Sequence, residues 1–454
     1  MITQSNKILI IIITLGLTFS ILYSLFNLKN FDKNQDFNNH LMIRGDISFI
    51  WQESHEFKED LLRDHKIIGA GKEYIRTFLP SKILSIFYLI FDEKFYQDYE
   101  KKVVSIGGKF KFLFFQIIIF YSSLIFFYRN LAKYYKDENL SLFTVGFLAL
   151  DPNIVQWHST FWTESIFFSL QLILLSQIIK ERKSYLNFFI IGILLGITFL
   201  QKTVAIFLIF FVFTYLIFNE KEKKILKNLT LVVGFFMVLI FLAFDNFKKT
   251  GIAYIMPTQT KSAHYVYIAQ RIIKQNEGSI ERLKIEEERW KKENRYDADD
   301  FKSNYEYFNF IQDQAIRVMM DNKIETIKIY IRNSLSHIIL NPLQTYYWHK
   351  YNDKFYKNQE FHLSEEAKKY FYFKFSYSII IYSIIILGFF KILTNRFKID
   401  FHLFILALVF YFIFMLGWVG NSRYFMPSLI FLSVFFGNGL VQLKKTFSKI
   451  NYNK

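Results

Sequence analysis

The sequence predicts an all-α polytopic membrane protein with about ten transmembrane helices and two long extracytoplasmic segments. The hydrophobic residues make up 52% of the 454, and most of them are gathered into runs of about twenty residues bounded by charges, the length that spans a bilayer as a helix. Lys and Arg are concentrated in alternate connections between these runs, which is the positive-inside pattern of multi-pass proteins. The distribution of residues therefore sets the class, which the overall composition leaves open.

The apolar runs define the predicted membrane helices. The first, residues 8–28, is longer than the apolar region of a signal peptide and no small-residue cleavage site follows it, so we expect an uncleaved helix. Two later runs are interrupted, at Asp151-Pro152 and at Gln201-Lys202, so nine to eleven helices fit the pattern equally well. The other runs cover 111–128, 140–157, 161–179, 185–201, 203–218, 226–246, 371–392, 400–419 and 424–442.

The basic residues predict the orientation. Connections on one side are rich in Lys and Arg, whereas the opposite short connections hold only Lys202 and Arg423. This places both termini in the cytoplasm and the segments 29–110 and 247–370 outside. Most of the net charge of +17 is then an orientation signal, and no nucleic-acid partner is expected. Few Pro and many Phe, Ile, Lys and Asn suggest a bacterial source, hence the inner (plasma) membrane.

The two outer segments are predicted to be folded. Residues 83–90 form an apolar stretch too short to span a bilayer, which is typical of an interfacial or re-entrant helix. Residues 278–295 are predicted to form a charge-dense amphipathic helix, and 305–340 repeat apolar residues at helical spacing. The predicted organisation is 1–28, first helix; 29–110, outer loop; 111–246, helices two to seven; 247–370, helical outer segment; 371–454, helices eight to ten and cytoplasmic tail.

Several chemistries have no support in the sequence. The absence of Cys excludes disulfides, Cys-based zinc sites and a Cys nucleophile. No P-loop, GxSxG, HExxH or GxGxxG motif is present, so nucleotide hydrolysis and serine hydrolysis are not indicated. No cofactor is evident, no metal site is predicted, and the sequence leaves assistance by a divalent metal open.

Charged groups at the ends of apolar runs are the first candidates for a functional site, because burying them in a membrane is costly. Under the predicted topology they all lie at outer helix ends, where they could converge on one cavity. The alternative is that each extends to the interface and pairs with a lipid headgroup. The cations suit a phosphate, which Arg can bind bidentately. The set comprises Asp151, His158, Glu164, Lys202, Asp245 and Arg423.

A further candidate, Asp46, lies in the early outer segment. It follows Arg44 and Gly45, and the glycine permits a tight backbone turn before the carboxylate. The alternative is an ordinary solvated loop residue.

The order of these motifs resembles that of the GT-C superfamily of polyprenyl-phosphate-sugar-dependent glycosyltransferases. The similarity is greatest to the dolichyl-phosphate-mannose–protein mannosyltransferase branch and its bacterial relatives, including lipid A aminoarabinose transferases. The motifs, in order, are Arg44-Gly-Asp46, Ala149-x-x-Pro152 with Thr163-Glu164, Gly192-x-x-x-Gly196 ending at Lys202, Asn246 to Gly251, Asn341-Pro342, and Arg423-Tyr424 with Pro427.

The resemblance implies a GT-C-like fold and an inverting hexosyltransferase-like enzyme that acts on the extracytoplasmic face. Its donor would be a polyprenyl-phosphate-linked sugar, and its acceptor a glycan, lipid or protein. Asp46 would be the catalytic base, with Glu164 as a second catalytic candidate. Glu164 or Asp151 would orient the acceptor or replace Asp46. The remaining assignments that the resemblance implies are Lys202, Arg423 and Tyr424 at the donor phosphate, and Arg44, Asp151 and His158 as other cavity residues.

Two other functions stay open from the sequence. An O-antigen polymerase or ligase uses Arg and His residues of a late outer loop, and segment 247–370 holds His264, Arg271, Arg332 and His337. A lipid-linked saccharide flippase or another transporter is the second, although transporters often show repeated halves and no internal repeat is evident here.

Overall fold

The computed structural model of the protein describes most of the chain. The described residues are 3–32, 46–64, 68, 78–91, 96–98, 103–104, 106–161, 163–180, 184–257, 264–277, 304–344, 365–395, 398–416, 423 and 425–452.

The described part of the chain is almost entirely helical. Its first half contains α1 (Gln4–Asp32), α2 (Asp46–Asp64), α3 (Phe78–Phe91), α4 (Ile106–Tyr135), α5 (Glu138–Leu150), α6 (Pro152–His158), α7 (Glu164–Ile178), α8 (Tyr185–Gln201) and α9 (Leu208–Asn219). The second half contains α10 (Lys224–Thr250), α11 (Gln270–Glu277), α12 (Asn304–Asp321), α13 (Lys323–Ile338), α14 (Glu365–Asn395), α15 (Ile399–Leu416) and α16 (Met426–Tyr452).

Two short strands are the exception to the all-α prediction. β1 (Tyr96–Asp98) pairs antiparallel with β2 (Val103–Val104), with Tyr96 opposite Val104. The pair lies between α3 and α4, within the segment 29–110, and antiparallel strands can be joined by a short connection.

Each predicted apolar run overlaps one described helix or two consecutive ones, and residues 162, 417–419 and 424 of these runs lie outside the described residues. Among the described residues, five helices are long and apolar enough to cross a membrane. They lie within α1, α4, α10, α14 and α16, and the other apolar helices are shorter. One run is broken where Asp151 ends α5 and caps α6, its side chain accepting from the backbone N of Asn153. Pro152 follows as the first residue of α6, where its fixed φ suits a helix start.

Glycines set how closely the long helices approach each other. A Cβ at Gly192 of α8 would lie 2.0 Å from the backbone oxygen of Leu231 in α10, and one at Gly234 would lie 2.5 Å from that of Phe189. At Gly196 the facing side chain is Val238, 2.6 Å from the same virtual atom. Only glycine permits this backbone contact, so the Gly-x-x-x-Gly motif sets how closely α8 approaches α10.

The described ends of the chain lie at one end of the helix bundle. Ser5 in α1 donates a hydrogen bond to Glu138 at the start of α5. Lys444 in α16 donates to the side-chain oxygen of Asn139 at 3.2 Å. The first turn of α1 and the last third of α16 therefore both contact the first turn of α5.

The two segments predicted to lie outside, 29–110 and 247–370, contain the predicted helices where they are described. The stretch 83–90 lies within α3, which buries Leu84 and Phe87 and exposes Ile86 and Ile90. The spacing over 305–340 corresponds to α12 and α13. The predicted helix 278–295 lies outside the described residues.

Candidate active site

One carboxylate and two cations meet at the ends of three helices. Nζ of Lys202 lies 3.0 Å from Oε1 of Glu164, and Nε of Arg423 lies 2.5 Å from the same oxygen. The structure therefore brings together three of the residues that the sequence singled out. We call Glu164, Lys202 and Arg423 the charge triad.

The local structure explains how each member is placed. Glu164 is the first residue of α7, where a carboxylate interacts favourably with the helix dipole. Lys202 directly follows α8 and its backbone N–H bonds to the carbonyl of Thr198. Gln201 donates from Nε2 to the carbonyl of Thr163 at 3.0 Å. This bond joins the end of α8 to the start of α7, so the lysine and the glutamate are held side by side.

The triad is almost completely buried. Relative exposure is 0% for Glu164, 7% for Lys202 and 6% for Arg423. Among the described residues, Oε2 of Glu164 has no hydrogen-bond partner. With all three groups ionised the triad carries a net charge of +1. Charged groups that are fixed in position and shielded from water interact more strongly than they would in water.

His158 lies close to the triad. It is fully buried, its ring packs 4.2 Å from the ring of Phe120, and its Nδ1 lies 2.7 Å from Oγ of Ser165. Because Ser165 directly follows Glu164, this contact fixes the first turn of α7. His158 therefore acts on the triad through helix position, and its Nε2 has no hydrogen-bond partner among the described residues.

Asp151 belongs to a neighbouring polar network. Its Oδ1 accepts from the backbone and side-chain nitrogens of Asn153, at 2.7 and 2.9 Å. Its Oδ2 accepts from the hydroxyl of Tyr377 in α14 at 2.7 Å. Gln156 extends the network by donating to the carbonyl of Asn341 at 3.1 Å. The α5–α6 turn is thereby tied to the Asn341-Pro342 motif and to α14.

Asp245 has a different partner again. It forms a buried ion pair with Lys249, 2.9 Å away and one turn along α10. Lys82 of α3 lies close enough to interact electrostatically with both, and its Nζ is 3.0 Å from the ring centroid of Phe57 in α2. These contacts attach α2 and α3 to the end of α10.

The early carboxylate is described only by its backbone. Asp46 is the first residue of α2, while its side chain, and all of Arg44 and Tyr424, lie outside the described residues. α2 itself is anchored, because Ser85 of α3 donates to the carbonyl of Ser54 at 2.7 Å.

Three partners of these carboxylates were not predicted from the sequence: Tyr377, Lys82 and Lys249. The importance of Lys82 could have been predicted, because it is a lone cation within the apolar stretch of α3. Lys249 lies four residues after Asp245 on one helix face, which is also readable from sequence. The role of Tyr377 could not have been predicted, because it is one of many tyrosines in an apolar helix. No group of three or more metal-ligating side chains occurs among the residues described.

A family model matches part of the chain. Residues 102–244 match the family described as dolichyl-phosphate-mannose-protein mannosyltransferase. The matched region contains Glu164 and Lys202 but neither Asp46 nor Arg423. No curated protein matches the sequence significantly.

Two solved structures of the oligosaccharyltransferase from the archaeon Archaeoglobus fulgidus share the architecture. One is AglB in complex with an inhibitory peptide and a dolichol-phosphate, with a TM-score of 0.52 and 10% identity. The other is the apo form, with a TM-score of 0.54 and 11% identity. The chain has a GT-C-type fold. The superfamily resemblance inferred from the motifs is therefore confirmed.

The GT-C-type region accounts for nearly the whole chain. Each superposition covers 98% of this chain but 51% of the solved one, so the chain spans about half the length of the oligosaccharyltransferase structures. The structural likeness extends to α2, where Asp46 lies, and to the start of α16, next to Arg423, both outside the region of the family match.

Proposed function

We propose that the chain is an inverting glycosyltransferase that moves a sugar from a polyprenyl-phosphate donor to an acceptor on the extracytoplasmic face of the bacterial inner membrane. The observation that carries the proposal is the charge triad, which three separate helix ends assemble on a GT-C-type fold. The donor named in the matching family and the dolichol-phosphate in the AglB complex support the same substrate class.

Lys202 and Arg423 would hold the donor phosphate. The Lys202 ammonium and the Arg423 guanidinium both contact Oε1 of Glu164, so two cations are fixed side by side, and Arg can bind a phosphate bidentately. The leaving group is a phosphate monoester, which needs charge stabilisation as the bond to the sugar breaks. Tyr424, next to Arg423 in the chain, would contribute at the same place.

Asp46 would be the catalytic base. The acceptor oxygen forms a bond to the anomeric carbon while the bond from that carbon to the phosphate oxygen breaks. The phosphate leaves with the bonding electrons, and Asp46 takes the acceptor proton. This single displacement inverts the anomeric configuration.

Glu164 is better suited to a supporting role than to that of the base. It is fully buried, and two cations already occupy one of its oxygens. We assign it two tasks: it aligns Lys202 with Arg423, and its Oε2 orients the acceptor hydroxyl.

The reaction would take place at the outer leaflet. The ends of α1 and α16 that contact the start of α5 carry basic residues that are predicted to be cytoplasmic. The short connections predicted to lie on the other side hold only two basic residues, Lys202 and Arg423, and both belong to the triad. A donor already on the outer face needs no nucleotide, which agrees with the absence of phosphate-binding loops from the sequence.

The proposal is tested with the purified chain in proteoliposomes. We expect release of polyprenyl phosphate from polyprenyl-phosphate hexoses that depends on an added acceptor, and no transfer from nucleotide sugars. NMR of the product should show the opposite anomeric configuration to the donor. Transfer from a nucleotide sugar alone, or retained configuration, would contradict the proposal.

A further inference from the structure

An apolar groove runs along the side of the bundle at the end opposite to the charge triad. It has a volume of about 280 Å³ and lies between α1, α5 and α16. Each of the three helices contributes apolar side chains to the lining of the groove, among them Ile12 of α1, Phe143 of α5 and Leu440 of α16. Gly146 forms part of the α5 wall, and the lack of a side chain there keeps the groove open.

A polar cavity continues the groove. Its volume is about 370 Å³, and Asn139 and Lys444 line both spaces. The polar cavity also contains Lys445, Asp137 and the hydroxyl of Ser448. Asp137 caps α5 by accepting from the backbone N of Leu140 at 3.0 Å. The two lysines and the one aspartate leave this cavity with a net charge of +1.

The length of the groove matches one leaflet. From Asn139 to Leu150 it follows α5 over eleven residues, or about 16 Å at 1.5 Å per residue. This is about half of the ~30 Å hydrocarbon core, the depth that a single acyl chain occupies.

We propose that these two spaces form a binding site for one anionic phospholipid of the leaflet at this end of the bundle. One acyl chain lies in the groove beside Gly146. The phosphate pairs with Lys444 and Lys445, and headgroup hydroxyls bond to side chains such as Ser448. The two observations that identify the occupant are the apolar groove of acyl-chain depth and the net positive cavity that opens from it. The site is separate from the charge triad and does not depend on the proposed transferase activity.

Native mass spectrometry of the full chain in detergent tests the site. The probes are dioleoyl-phosphatidylglycerol and dioleoyl-phosphatidylcholine, which share acyl chains and differ in headgroup charge. We expect the first phosphatidylglycerol to bind more tightly than the first phosphatidylcholine. Changing Lys444→Gln and Lys445→Gln together should weaken phosphatidylglycerol binding about 30-fold, equivalent to about 2 kcal/mol, and leave phosphatidylcholine binding unchanged.

Gly146→Leu is the complementary variant, because its side chain fills the groove. A Cβ at Gly146 meets only Ile12, at 3.6 Å, so folding should be retained, and both lipids should bind more weakly. Lys223→Gln with Lys224→Gln, an exposed pair at the start of α10, is the matched control and should behave as wild type.

Three outcomes would overturn the lipid site. The first is equal phosphatidylglycerol binding by wild type and the Lys444/Lys445 variant. The second is unchanged lipid binding by Gly146→Leu. The third is loss of the phosphatidylglycerol preference on adding inorganic phosphate at the lipid concentration, which would identify a simple anion site.

Discussion

Nε of Arg423 lies 2.5 Å from Oε1 of Glu164, although 259 positions separate the two residues in the chain. One belongs to the first turn of α7 and the other precedes α16. Their contact joins two distant helix ends inside the bundle. Because Lys202 binds the same oxygen, Glu164 holds two cations together that would otherwise repel each other.

Glu164→Gln should destabilise the protein. The substitution keeps the shape of the side chain but removes the carboxylate charge that both buried cations contact, and breaking a buried ion pair typically costs about 3–5 kcal/mol. Detergent unfolding of the purified variant should show this loss in the free energy of unfolding.

A double-mutant cycle is the control. Adding Lys202→Gln to Glu164→Gln removes one of the two cations that the carboxylate had bound, so the double variant should recover part of the loss. Coupling of about 0.5–3 kcal/mol is expected for residues in direct contact. Purely additive effects would show that the carboxylate does not act as the shared counter-ion.

Arg423→Gln should weaken donor binding. Hydrogen bonds to charged groups contribute about 1.5–3 kcal/mol, so the donor KM should rise roughly 10- to 100-fold. Arg423→Lys keeps the charge but not the planar fork of donors, so its donor KM should lie between those of wild type and Arg423→Gln. The measurement is initial transfer rate against polyprenyl-phosphate sugar concentration.

Arg332→Gln is the matched control for that measurement. Arg332 lies exposed on α13, within the predicted outer segment 247–370 on which the polymerase or ligase alternative depends. Its substitution should leave the donor KM unchanged. A raised donor KM in Arg332→Gln, together with an unchanged donor KM in Arg423→Gln, would favour the polymerase or ligase function.

The positions of helix ends could be predicted from the sequence better than which helices are adjacent in the bundle. Apolar runs and the basic residues between them place Glu164, Lys202 and Arg423 at one level of the bundle. They carry no information on which helices are adjacent, so the shared contact at Glu164 Oε1 was not predictable. The same reasoning grouped Asp151 and Asp245 with the triad, whereas the structure gives these carboxylates the partners Tyr377 and Lys249.

Gly192→Ala should destabilise the protein by about 1–3 kcal/mol, the usual cost of overpacking. The new Cβ would meet the backbone oxygen of Leu231 at 2.0 Å, and a backbone cannot rotate aside. Gly146→Ala is the control, since its Cβ has ordinary contact with Ile12. There the higher helix propensity of alanine should stabilise by up to about 1 kcal/mol. Thermal unfolding of both variants checks this, and equal effects would contradict the packing of α8 against α10.

Reporter fusions should show opposite sides for Lys224 and Trp290. Lys224 follows a connection rich in Lys, which predicts a cytoplasmic location. Trp290 lies in the predicted outer segment 247–370. Alkaline phosphatase should be active only in the fusion at Trp290. Activity at Lys224 instead would invert the topology and move the charge triad to the cytoplasmic face.

The most direct test of the account is the transfer rate of Asp46→Asn. The change removes the proposed base at nearly constant size, and loss of general-base catalysis should lower the rate about 10²- to 10⁴-fold. Donor KM, membrane insertion and thermal stability should stay at wild-type values. Asp60→Asn, on the same helix α2 and paired with Arg63 at 2.7 Å, is the matched control and should retain wild-type transfer. Wild-type turnover by Asp46→Asn would contradict the assignment of the base.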